Sequence, residues 1–77
     1  VTQDPDFTVS LRGYDRDEVD ELIRRGNDAL ASGSPAERAA VAEQLRRPVF
    51  TVRLRGYDRT QVESHLGHLV SRLTAVD

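Results

Sequence analysis

The chain has no cysteine, so neither a disulfide framework nor a thiolate metal site can hold it together, and its composition suits a reducing cytoplasm. It has no lysine: every one of its 11 basic side chains is arginine, a bias that GC-rich coding explains as readily as a need for bidentate anion binding. No apolar run approaches the length of a membrane span, and no signal-peptide pattern is read at the start. The first residue is Val1 rather than Met, as expected of a fragment boundary or a processed end of a longer parent. With 77 residues the chain is expected to form one domain over residues 1–77. A domain of that size buries only about 60% of its unfolded surface, so oligomerisation is a natural supplement. A core this small rarely encloses a pocket. No Ser-His-Asp or paired-carboxylate arrangement can be defended, so no catalytic residue, no cofactor and no enzymatic activity are expected. His65 and His68 stand three apart without a further pair or a cysteine, and are read as exposed helix histidines rather than metal ligands.

What the chain does have is a repeat. Phe7-Thr-Val-Ser-Leu-Arg-Gly-Tyr-Asp-Arg returns at Phe50 after 43 residues, with Ser10 against Arg53 as its one difference. Self-similarity at a fixed offset marks a duplicated supersecondary unit. In each copy the apolar residues fall at every second position (Phe7, Val9, Leu11 and Phe50, Val52, Leu54), the period of an extended arm with one buried face. Gly13 and Gly56 then offer positive φ for a sharp turn. Asp15 and Asp58 read as helix N-caps, with Glu18 and Gln61 three residues on at capping-box spacing.

Three helices follow from these signals. The first is expected over 16–31, with Val19, Ile23, Gly26 and Leu30 along one seam and Leu22 beside it. The second is expected over 34–47, opened by Ser34, Pro35 and Glu37 and stopped by Pro48. The third, over 59–76, carries Val62, Leu66, Leu69, Leu73 and Val76 at alternating spacings of four and three, a coiled-coil seam. That seam serves either self-association or packing against the first two helices. The expected fold is therefore mainly α, a small up-down-up domain of internal repeats 7–31 and 50–76 joined by helix 34–47. Its two arms are expected to pair as a two-stranded ribbon between 7–10 and 50–53. An up-down-up order leaves helices 1 and 3 parallel, so that one chain mimics a parallel dimer.

Leu-Arg-Gly-Tyr-Asp-Arg, followed by Glu18-Val19-Asp20 in one copy and Gln61-Val62-Glu63 in the other, resembles the N-terminal module of the DivIVA/GpsB family of bacterial cell-division and polar-growth scaffolds. The match covers residues 7–23 and 50–66. It departs from the family in its tandem arrangement, since well-known members carry one copy and dimerise through a long coiled coil. An actinobacterial-type DivIVA-domain repeat protein is the class implied. The resemblance implies a non-catalytic scaffold or targeting module for division, septation or polar growth, cytoplasmic or peripheral on the inner face of the cell membrane. It further implies a loop-tip contact with anionic lipid at Leu11 with Arg12 and at Leu54 with Arg53 and Arg55, the second tip being favoured for its extra arginine. The alternation of the arms implies instead that Leu11 and Leu54 are core residues. A GpsB-like groove for arginine-bearing peptides would use Tyr14 and Asp20, and Tyr57 and Glu63. Its third acidic position is occupied by Arg24 in one copy and Gly67 in the other.

Charge is divided unevenly. Residues 1–44 hold ten acids against five arginines and residues 45–77 three against six, which favours packing one repeat on the other. Asp17, Glu18, Asp20 and Glu21 crowd the first turns of helix 1, where the helix dipole favours them in any case. Arg46, Arg47, Arg53, Arg55 and Arg59 offer a nucleic-acid alternative, set against an acidic chain whose few aromatics the fold needs; no nucleic acid is expected. The expected partners are the chain itself, as internal pseudo-dimer or homodimer, together with other division proteins and an anionic membrane surface. A protein–protein adaptor without membrane contact is the alternative.

Overall fold

A computed structural model describes residues 7–75. The order is β1 (Val9–Ser10), β2 (Gly13–Tyr14), α1 (Arg16–Ser32), α2 (Pro35–Arg46), β3 (Val52–Arg53), β4 (Gly56–Tyr57) and α3 (Arg59–Leu73). The protein is mainly helical, with three helices and a small antiparallel sheet.

Each helix begins where a side chain can satisfy its free N–H groups. Asp15 accepts from Glu18 N at 3.0 Å, Asp58 from Gln61 N at 3.0 Å, and Ser34 from Glu37 N at 3.3 Å. Gly33 ends α1 at φ 74°, and α2 stops at Arg46, with Arg47 as its cap before Pro48. α3 closes earlier than its apolar spacing predicts. The helix ends at Leu73, where the Thr74 N–H and hydroxyl both donate to Val70 O, at 3.0 and 2.8 Å; Val76, expected in the seam, lies outside the described residues.

Helices α1 and α3 run side by side in the same direction. Gly26, about midway along α1, lies against Leu69, its counterpart 43 residues on: a Cβ built on Gly26 would stand 3.2 Å from Leu69 Cδ1 and 3.4 Å from Leu45 Cδ1. α2 returns between them and packs on both. The core is Val19, Ile23, Ala29, Ala42, Leu45, Val62, Leu66, Leu69 and Leu73, each at most 4% exposed. The α3 seam is thus consumed within the chain. Val62, Leu66, Leu69 and Leu73 face α1 and α2, so the self-association seam expected there is corrected to an internal one.

The sheet differs from the expected ribbon. Its order is β1-β4-β2-β3, so every ladder joins one repeat to the other. Val9 pairs with Tyr57 and Ser10 with Gly56; Gly13 pairs with Arg53 and Tyr14 with Val52; Tyr14 also pairs with Tyr57. The arms do not pair with each other: each lies against the other repeat's Gly-Tyr. The two backbones cross at Gly13 and Gly56, and a Cβ on Gly13 would stand 2.3 Å from Gly56 C, one on Gly56 2.3 Å from Tyr14 O. Neither glycine has positive φ; among the described residues only Gly33 does. The expected reason for these glycines is corrected: they are needed for close backbone approach, not for turn conformation.

The glycines therefore rank by environment. Gly13→Ala and Gly56→Ala force backbone against backbone and are expected to cost at least about 3 kcal/mol. Gly67→Ala, in an open stretch of α3 with nothing near its added methyl, is expected to stabilise by roughly 0.5–1 kcal/mol. Urea titration of the three variants checks the order. Equal midpoints for Gly56→Ala and Gly67→Ala would overturn the crossing.

Candidate functional site

The crossing sheet sits at the N-terminal ends of α1 and α3, since β2 and β4 lead directly into the caps Asp15 and Asp58. A reciprocal set of bonds fastens each arm to the opposite helix. Thr51 N donates to Glu18 Oε1 at 2.7 Å, and Thr8 N donates to Gln61 Oε1 at 2.7 Å. Asp15 N donates to Thr51 O and Asp58 N to Thr8 O, both at 2.8 Å. The capping boxes expected from spacing are thus opened: Glu18 and Gln61 reach across to the other repeat, and the cap N–H groups find carbonyls there instead. Phe7 packs on Tyr57 with ring centroids 5.0 Å apart, and Phe50 on Tyr14 at 4.9 Å.

The peptide-groove candidates come together, but crosswise. Tyr14 OH donates to Glu63 Oε2 at 2.7 Å, and Tyr57 OH donates to Asp20 Oδ1 at 3.0 Å and Oδ2 at 3.2 Å. The Glu63 carboxylate that accepts the Tyr14 proton, aided by partial burial, raises the phenol above its usual pKa. At the third groove position Arg24 pairs with Glu21, and Gly67 leaves an open cleft of about 490 Å³ beside Tyr14, Glu63, Leu66 and Val70. A second cleft of about 370 Å³ is lined by Asp15, Arg16, Asp17, Asp20, Arg53, Arg55 and Tyr57.

The tips stand free. Leu11 is 77% exposed and Leu54 81%, beside the exposed Arg12 and Arg55. The core reading of these leucines, which the alternating arms imply, is corrected: the strands are two residues long, only Phe7 and Phe50 of each apolar face pack inward, and Val9 and Val52 remain about half exposed. Arg53 is engaged otherwise than expected, its Nε 2.8 Å from Asp15 Oδ2. The Glu18 N–H and then the Arg53 guanidinium hold the Asp15 carboxyl below the usual range.

The remaining candidates disperse. Arg46 pairs with Glu43 at 3.0 Å at the end of α2 and Arg53 is tied to Asp15, so two of the five arginines weighed for nucleic acid are held in ion pairs. His65 lies edge-on to Phe7 at 5.7 Å. Among the described residues no group of three or more His, Cys, Asp or Glu side chains is arranged to hold a metal, and no helix is long and apolar enough to cross a membrane. Sequence reasoning missed Thr8 and Thr51; the signal was their identical place in both arms, directly after the phenylalanine that packs. Comparison with known protein families, with curated proteins and with solved structures returns no match.

His65 gives the site a pH dependence. Partial burial, then repulsion from His68 and Arg72, depresses its pKa below the ordinary value of about 6.5. The unfolded chain therefore takes up its proton first. The contribution of His65 to stability is complete above about pH 6.5 and falls as the pH drops through that value, levelling off below the folded pKa. Asp15 and Glu21, both depressed, lose their contributions only in the lower carboxylate range. His65→Leu, which installs the residue found at the equivalent position 22, is expected to flatten the melting-temperature profile between pH 7.5 and 5.5. A profile unchanged by the substitution would sink this assignment.

Proposed function

We propose that the chain is a non-catalytic scaffold or targeting module that touches an anionic membrane surface through its paired Leu-Arg tips. The observation that carries this reading is the exposure of Leu11 and Leu54 beside Arg12 and Arg55 on a sheet fixed by reciprocal bonds. A large apolar side chain left in water beside a cation suits a surface with an apolar interior and phosphate headgroups. The resemblance to the DivIVA/GpsB module supports the same use, and with it a role in bacterial division, septation or polar growth on the inner face of the cell membrane. The non-catalytic reading is supported by the state of the polar groups: the Tyr and acid pairs bordering both clefts are bonded to each other across the repeats. The parallel α1 and α3, joined through α2, support the further reading that one chain stands in for a two-subunit module.

The attachment is weak by construction. A buried leucine contributes about 1.5–3 kcal/mol and an arginine near an anionic surface about 1 kcal/mol, before the cost of immobilising the protein. Stable localisation then needs several modules on one assembly.

Co-sedimentation with vesicles of phosphatidylglycerol and phosphatidylcholine tests the reading. The parent protein is expected to bind these and not vesicles of phosphatidylcholine alone. The double variant Leu11→Ser/Leu54→Ser should lose binding while its melting temperature stays within about 2 °C, because exposed side chains contribute little to stability. Undiminished binding by the double variant would refute the tip assignment.

A further inference from the structure

We infer that the two tips are unequal and that the first, Leu11 with Arg12, leads the contact with the anionic surface, although the second carries the additional arginine. This inference rests on the membrane reading above and ranks the residues within it.

The ranking follows from which helix each arm is fastened to. The second arm lies on the start of α1: Thr51 is held by Glu18, Tyr57 by Asp20 and Arg53 by Asp15. The first arm lies on the start of α3: Thr8 is held by Gln61 and Tyr14 by Glu63. The helix beginnings are equivalent in the repeat but not in charge. After its cap α1 reads Arg16-Asp17-Glu18-Val19-Asp20-Glu21, and α3 reads Arg59-Thr60-Gln61-Val62-Glu63-Ser64. Asp17, Glu18 and Asp20 thus stand in the turns that receive the second arm, against Glu63 in those that receive the first, while Glu21 is paired with Arg24 and Arg25.

The extra arginine does not redress this. Arg53 is the residue that distinguishes the second arm, and it is bound to Asp15; Arg55 shares its cleft with Asp17 and Asp20. Arg12 has Thr60 at the repeat position that Asp17 holds for Arg55. Carboxylates within a Debye length of about 8 Å offset an arginine's attraction to anionic lipid and are themselves repelled by it. Arg16 and Arg59 are equivalent and so are the caps Asp15 and Asp58, which leaves the second tip with more carboxylates about it than the first. The protein is then expected to meet the membrane tilted, with Leu11 leading.

Vesicle titrations of the full chain, at fixed salt and with equal parts phosphatidylglycerol and phosphatidylcholine, separate the two tips. Arg12→Gln is expected to weaken partitioning about fivefold, and Arg55→Gln to weaken it less. Asp17→Thr, which gives the second tip the surround of the first, is expected to strengthen binding and to enlarge the loss caused by Arg55→Gln. Equal losses for Arg12→Gln and Arg55→Gln, or a larger loss for the latter, would overturn the ranking while leaving the membrane reading intact. Absence of binding by the parent protein would remove both.

Discussion

The contact on which the rest of this fold depends is the crossing of two glycine backbones. At Gly13 and Gly56 the chains pass so closely that no side-chain carbon fits on either. Because they pass there, each arm is delivered to the helix that follows the other arm. The crossed tyrosine–carboxylate bonds, the crossed threonine brackets and both aromatic pairs exist only once that delivery has happened. The individual bonds are solvent-exposed and each contributes modestly, on the order of 1 kcal/mol. What they share is a single geometric precondition, so they form or fail together.

The helices were legible in the sequence because their signals are local. Asp15, Ser34 and Asp58 mark their beginnings, Pro35 and Pro48 bracket the second, and the four-three spacing from Val62 to Leu73 draws the buried stripe of the third. The sheet was not legible, because pairing between residues 38 to 48 apart leaves no local period. Two-residue strands are also too short for alternation to mean burial. The same Phe-Thr-Val-x-Leu pattern therefore holds a packed phenylalanine at one end and an open leucine at the other.

Of the candidate site, the residue types were visible but their partners were not. Tyr14 with Asp20 and Tyr57 with Glu63 are neighbours within each repeat, yet the bonds run from Tyr14 to Glu63 and from Tyr57 to Asp20. Glu18 and Gln61 have capping-box spacing and spend their side chains on the opposite arm. In both cases a local motif supplies the group and the crossing redirects it. Arg53 follows the same rule: beside Leu54 in sequence it reads as part of a basic tip, and in space it belongs to the cap of α1.

Gly26 against Leu69 shows what fusing two copies permits. In a symmetric pair of identical chains, a residue on the two-fold axis meets itself, and its size must suit its own duplicate. Here the two places are filled independently, a missing side chain on one helix receiving a large one from the other. The pairing is also unimolecular. Unlike an assembly of two separate subunits, it is not diluted away, so at any protein concentration the tips are held in the same spacing and the same relative orientation.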